Sequence, residues 1–441
     1  MLTQLIAHGV GSRGTLPLPL WQFSWAAIVA LVLSFGALGA LWKSPKLDAS
    51  APARVLSGTR PALKALEWLI RAVGLLLFGL TLGAGLFGEN VGGESVNLAP
   101  VTIYVMVWVA VPIVSALVGD IWKWCNPFET LAILFEQFRP APEQQPPSHQ
   151  WVAVATLVGF LFLELVHPSG DLPQVLGWSM LVYALVQIGG IIRFGHQWLD
   201  RADGFGVLFT AIAAMSPFTT VDGHVAVRRP LSGLSSVRIV PGTTMLILVV
   251  LGGTSFDGFS ESPIFTDIIG RPTGWAAALP KSIGLFVMIA IAAILYWFGA
   301  RATAAVTGLS HDDAADMFAP ALIPIVWAYA VAHYAQLLVD QAQSFWFRLS
   351  NPYGSTNADG SPALDLFGGA EGVVDLTIIN PDIVAWVQAI SIVLGHALAV
   401  IYSHDIAVRH FDHKVAARSQ QTMLIVMVLY SVAGLWLLFA G

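Results

Sequence analysis

Pro324–Gln343 reads PIVWAYAVAHYAQLLVDQAQ, and its two halves pull in different directions. The first half has the composition of a helix that lives in hydrocarbon. Then His333, Gln336, Asp340 and Gln343 arrive at steps of three, four and three residues. Together with Tyr329 they recur at helical spacing, so they share one face. Polar groups in hydrocarbon are costly unless paired, so that face has to meet other helices or water. Either it is a hydrogen-bonded stripe that couples helices, or it holds a ligand, a proton or a metal, the usual role of ionisable groups inside membrane spans.

Composition supports the membrane premise. The chain is 56% hydrophobic and only 11% charged, with a mean hydropathy of +0.72, which excludes an ordinary water-soluble domain. Several apolar runs approach the roughly 20 residues that a helix needs to cross a core about 30 Å thick. The expected fold is an all-α polytopic bundle in one integral membrane domain, 1–441. Ten crossings are placed at about 21–42, 65–88, 101–119, 151–166, 175–194, 241–256, 281–300, 317–340, 383–402 and 420–440. The segment DGFGVLFTAIAAMSPF (203–218) is short and ends at Pro217; it is read as re-entrant or interfacial.

Alternating the loops across these spans separates the charges. All but five of the 21 Lys and Arg fall on one side, from Lys43 and Lys46 through Arg139 and Arg229 to Lys414 and Arg418. The other side holds Arg13, Arg271, Lys281 and Arg348, while Arg71 sits inside helix two, where it can snorkel. The rich side is therefore cytoplasmic, both termini lie outside, and the chain belongs in the bacterial cytoplasmic membrane. The outer loops are acidic, with Glu89, Glu94, Asp171, Asp257, Glu261 and Asp375 among them. That face disfavours nucleic acid and suits either cations or a solvated rim.

Cys125 is the only cysteine, so an intrachain disulfide and a cysteine metal cage are both excluded. Residues before Trp21 lack a basic, apolar leader pattern and read as an outer arm. RPAPEQQPPSHQ (139–150) is a proline-rich hinge. NPFETLAILFEQF (126–138) is amphipathic, with Trp122 and Trp124 placed as interfacial anchors. VAVRRPLSGLSSVRIVPG (225–242) alone has strand character, as a small hairpin.

Three further clusters carry chemistry. FLELVHP places Glu164 and His167 three apart before Pro168, the Glu-x-x-His spacing of carboxylate-bridged metal bundles, although one short copy also occurs by chance. TSFDGFSESP (254–263) gathers oxygen ligands around Asp257, which equally suits a tight turn before Gly258. On this topology His333 lies roughly 10 Å below the outer end of its helix, where Glu164, His167, Asp257 and Asp340 would converge around it. His396 lies deeper, bonded to a neighbouring helix's carbonyl or serving a site; His404, His410 and His413 follow among basic residues as exposed or headgroup-facing groups. Asp120 in GDIWKWCNPFETL is a structural partner for Lys123 or Arg139. Phosphate loops, HExxH and GxSxG are lacking.

AHGVGSRGTLPLPLW, SFGALGALW, GDIWKWCNPFETL, TSFDGFSESP and AYAVAHYAQLLVDQAQ, spread over most of the chain, together resemble the fenitrothion hydrolase-like family of polytopic bacterial membrane proteins common in actinobacteria. The resemblance implies a membrane hydrolase acting on an organophosphorus triester, as one subunit of a hetero-oligomer. A base or a divalent metal would activate water: His333 and Asp257 are the catalytic candidates, Glu164, His167 and His333 the metal ligands. Tyr329, Gln336, Asp340 and His396 would bind ligand or couple helices. An apolar substrate would arrive sideways from the bilayer. A small-solute or ion transporter is the rival reading, on the interrupted helices and buried charges; a structural subunit whose ladder docks a partner helix is the third.

Overall fold

The computed structural model describes residues 20–439 apart from 57, 93–95 and 139–143. The arm up to residue 19 with Arg13, as well as Glu94 and Arg139, therefore lie outside the described residues. Of the described residues, 73% are helical. Its long helices are α1 (Leu20–Leu41), α2 (Arg60–Phe87), α3 (Leu98–Val118), α4 (Pro127–Phe138), α5 (Trp151–Leu165) and α6 (Pro173–Phe194). These are followed by α7 (Gly204–Ala213), α8 (Thr243–Ser260), α9 (Trp275–Thr307), α10 (Ile323–Ser350), α11 (Pro381–His410) and α12 (Gln421–Phe439). Among the described residues nine helical stretches are long and apolar enough to cross a membrane, and α5 is not one of them. Its 15 residues span roughly 22 Å, short of the hydrocarbon thickness.

Local chemistry sets the helix ends. Proline opens α2, α6, α10 and α11 at a position whose N–H would have no partner. Asn97, Asp203 and Asn380 cap α3, α7 and α11 by accepting from backbone N–H groups of the first turn. Within α3, Val101–Ala110 is wound as a π-helix, and the N–H of Val111 reaches back to Met106 O. Such winding is uncommon beyond one turn; here it ends where Pro112 lacks a donor.

Loops gather at two poles. At the first, β1 (Arg54–Val55) pairs antiparallel with β3 (His224–Val227), which pairs with β2 (Phe218–Val221). Arg229 donates to Lys46 O, and Gln150 accepts from Thr243. At the second, Glu89 N–H donates to Tyr353 O, Gln174 N–H to Asn90, and Tyr104 to Gly170 O. Because Gln150 is at one pole and Gly170 at the other, α5 runs from pole to pole despite its length.

The fold corrects several expectations. The strand pair begins earlier than 225–242: Asp222 and Gly223, both at positive φ, make its turn. Within 203–218 the helix α7 covers Gly204–Ala213 only; its Leu208, Phe209 and Ile212 are buried in protein, which the re-entrant alternative requires. Trp122 is no surface anchor; it is buried edge-on against Phe209. α8 continues through Ser260, so Asp257 sits within a helix and not in an outer turn. α10 runs to Ser350, which leaves His333 17 residues, roughly 25 Å, from that end rather than about 10 Å.

Candidate functional site

The interior of α8 explains how the cluster forms. Its sequence LGGTSFDGFS carries three glycines where neighbours come close. A Cβ on Gly252 would lie 2.4 Å from Ile289 Cα, one on Gly253 2.5 Å from Leu161, and one on Gly258 2.9 Å from the Tyr329 hydroxyl. These contacts bring α9, α5 and α10 against a helix that is buried on nearly all sides. Asp257, 1% exposed, is carried into the middle of that packing.

Four side chains meet there. His333 Nε2 stands 2.8 Å from Asp257 Oδ2 in a close ion-pair contact. The Tyr334 hydroxyl lies 3.0 Å from the same carboxylate oxygen and 3.3 Å from Glu164 Oε1. His333 is 1% exposed and is held between two rings, stacked on Tyr329 at 5.7 Å and edge-on to Tyr334 at 4.8 Å. Neither of its ring nitrogens makes a hydrogen bond, so the Asp257 contact is close in distance but outside hydrogen-bond geometry; Glu164 Oε2 also lacks a partner. A tyrosine hydroxyl has one proton to donate. Facing two carboxyl oxygens, it satisfies both when one carboxyl is itself protonated and donates to it. The cluster thus has the connectivity to store a proton between Glu164 and Asp257 and to present a histidine whose second nitrogen is open.

The other expected residues separate from this group. α5 ends at Leu165, so the helical register that would align His167 with Glu164 is lost. His167 instead accepts from Ser169 N–H and packs edge-on against Trp275, and partial burial lowers its pKa below the usual histidine value. Among the described residues no three His, Cys, Asp or Glu side chains stand together to hold a metal ion. The Glu164–His167–His333 ligand set is thereby not assembled.

The ladder on α10 also divides. Gln336 donates to Asp340 at 2.7 Å, and Gln343 exchanges two bonds with the backbone of Asp375, fastening the loop before α11. His396 bonds to Ile392 O of its own helix, not a neighbour's, at 2.8 Å. With Nδ1–H donating there, Nε2 carries the lone pair, buried and unpartnered. The ring lies 6.4 Å from Tyr430, whose hydroxyl meets Ser255 at 2.5 Å.

Three polar assemblies escaped the sequence reading. Tyr334 itself reads as an aromatic core residue one step off the polar face. Asp203, fully buried, accepts from Tyr183, Asn126 and Gly206 N–H; burial raises its pKa above the usual carboxylate range. Asp405 accepts from Trp42, from the N–H groups of Lys46 and Leu47, and from Arg409, while buried His404 bonds to Trp42 O. His404 is therefore not a headgroup-facing residue. Asp120 accepts from Thr210 and from Lys123 N–H, while the alternative partner Arg139 lies outside the described residues. The capping pattern before DGFGVLF was the one legible signal for Asp203.

Comparison with family models, with curated proteins and with solved structures finds no match to this chain.

Proposed function

We propose that the chain is a ten-crossing protein of the bacterial cytoplasmic membrane whose Glu164–Tyr334–Asp257–His333 cluster is an intramembrane acid–base centre for hydrolysis of an apolar ester. The observation that carries this reading is the 2.8 Å approach of Asp257 Oδ2 to His333 Nε2, an ion-pair contact outside hydrogen-bond geometry, beside an Nδ1 that is also free of hydrogen bonds. A carboxylate this close stabilises the imidazolium by its charge, so Nδ1 can act as base, and the two flanking tyrosine rings fix the orientation of the imidazole. Water would lose its proton to His333 Nδ1 as its oxygen bonds to the electrophilic centre. The bond to the leaving oxygen breaks, and that oxygen takes a proton relayed from Glu164 through Tyr334. An organophosphorus triester, the class the family resemblance suggests, reaches such a centre from the bilayer when α5 and α10 part from α8.

A second reading rests on the two carboxyls themselves. One proton shared between buried Glu164 and Asp257 suits a proton-coupled carrier, in which protonation shifts the packing of α8 against α10. A docking role for the ladder has less support, since Gln336 and Gln343 bond within the chain.

Vesicles with matched amounts of wild-type and His333→Gln protein distinguish these readings. Nitrophenol release from fenitrothion by the wild type, lost in the variant, supports the hydrolase. No release from folded wild type, together with a proton leak or solute uptake abolished by Asp257→Asn, replaces it with the carrier.

A further inference from the structure

Away from this cluster, a cleft of about 610 Å³ opens on the side of the bundle between α2, α3 and α6. That volume lies in the range of about 300–1,000 Å³ typical of small-molecule sites. Its wall is apolar: Leu77 and Phe78 of α2, Met106 and Val107 from the π-wound part of α3, Met180 of α6 and Phe345 of α10. Gly74 keeps it shallow at one end, where a Cβ would strike Cys125 O at 2.1 Å. At that end, which faces the first pole, stands Trp122.

Two polar atoms in this wall lack partners. The Trp122 indole N–H and the Thr81 hydroxyl are both buried, and neither makes a hydrogen bond within the chain. They are not equivalent. A threonine hydroxyl on a helix can rotate to the carbonyl one turn back at little cost, whereas an indole N–H points one way and can only donate. The buried indole therefore calls for an acceptor brought by something else. Lys123, the next residue in the chain, is exposed, and Arg71 is already engaged by Glu67. An apolar trough, one acceptor-seeking donor at its interface end and a cation beside that donor match the three parts of one molecule.

We infer that this cleft binds a membrane phospholipid, with one acyl chain in the trough, its ester carbonyl accepting from the Trp122 indole and its phosphate facing Lys123. The site is independent of the acid–base cluster, since α3 stands between them, with Met106 and Val107 on the cleft and Tyr104 and Trp108 buried behind. It requires only that the chain sits in a bilayer.

The test uses full-length protein in vesicles containing phosphatidylglycerol with a diazirine on one acyl chain. After irradiation, cross-links should concentrate on Met106, Val107 and Met180, above those on the equally apolar outer face of α9 around Phe286 and Ile294. Trp122→Phe keeps the ring against Phe209 but removes the donor; it should lower cleft labelling about five-fold, as expected for one lost hydrogen bond, while α9 labelling stays constant. Val107→Trp should fill the trough and abolish the signal. Labelling of the cleft no greater than that of α9, or equal labelling in wild type and Trp122→Phe, overturns the assignment. The wild-type map stands as a test even if a variant fails to fold.

Discussion

Tyr334 has one proton to give, and two carboxyl oxygens wait for it at 3.0 and 3.3 Å. If Glu164 is the protonated partner, Glu164→Gln keeps the shape and neutrality of the site and should cost less than about 1 kcal/mol of stability. Asp257→Asn removes the charge facing His333 and should cost on the order of 3 kcal/mol, as for a broken buried pair. Thermal unfolding of the two variants in one detergent tests the assignment; equal losses would sink it. At the first pole, the hydrogen bond that His196 Nε2 donates to the Glu129 carboxylate holds the His196 pKa above the ordinary histidine value, against the pull of partial burial. A raised folded-state pKa gives stability that is complete below about 6.5, the unfolded value, and fades as pH rises through the folded one. His196→Gln should therefore melt below wild type at about pH 6 and level with it near pH 9. His333 and Asp257 were legible because charge in an apolar run is conspicuous. Asp405 and Asp203 were not, because a carboxylate near a span's end looks solvated until the fold brings distant donors to it.

At the scale of elements, apolar runs disclosed the long helices, but close approach was hidden. Gly85 of α2 and Gly177 of α6 face each other so tightly that a Cβ on either would come within 3 Å of the other's backbone, 2.9 and 2.7 Å. Gly177→Ala should destabilise by about 1–3 kcal/mol, because two backbones cannot repack as side chains do. Gly36→Ala in α1, with nothing within 4 Å of its Cβ position, should be neutral or gain up to about 1 kcal/mol of helix propensity. Melting temperatures of the pair decide it, and equal shifts would refute the tight crossing. A pattern of small residues carries no sign of which glycine has a partner. The same limit explains TSFDGFSESP: its serines and glycine read as a turn, yet the serines bond back to their own helix. Buried backbone with such partners can continue as helix where exposed backbone would turn.

For the whole molecule, the question that decides the site's depth is whether α5 crosses. Composition divides the basic residues between two sides only if it does, and the contacts of Gln150 and Gly170 lie at opposite poles. A helix of about 22 Å can cross where the bilayer thins around it or where neighbours cover its ends. The single cysteine makes this directly testable. In a Cys125→Ser background, Ser148→Cys and Lys414→Cys should react with a membrane-impermeant maleimide from the cytoplasmic side, and Gln174→Cys and Asp359→Cys from the outside. Ser148→Cys and Gln174→Cys reacting from one side would mean nine crossings and termini on opposite faces. Glu164, one residue before the end of α5, would then be anchored by a helix that dips in and returns. The proton of the Glu164–Tyr334–Asp257 array would exchange with the same water as Ser148. With α5 crossing, that proton belongs to the opposite pole from the basic loops, and only then can a carrier or a hydrolase use the cluster to separate one side from the other.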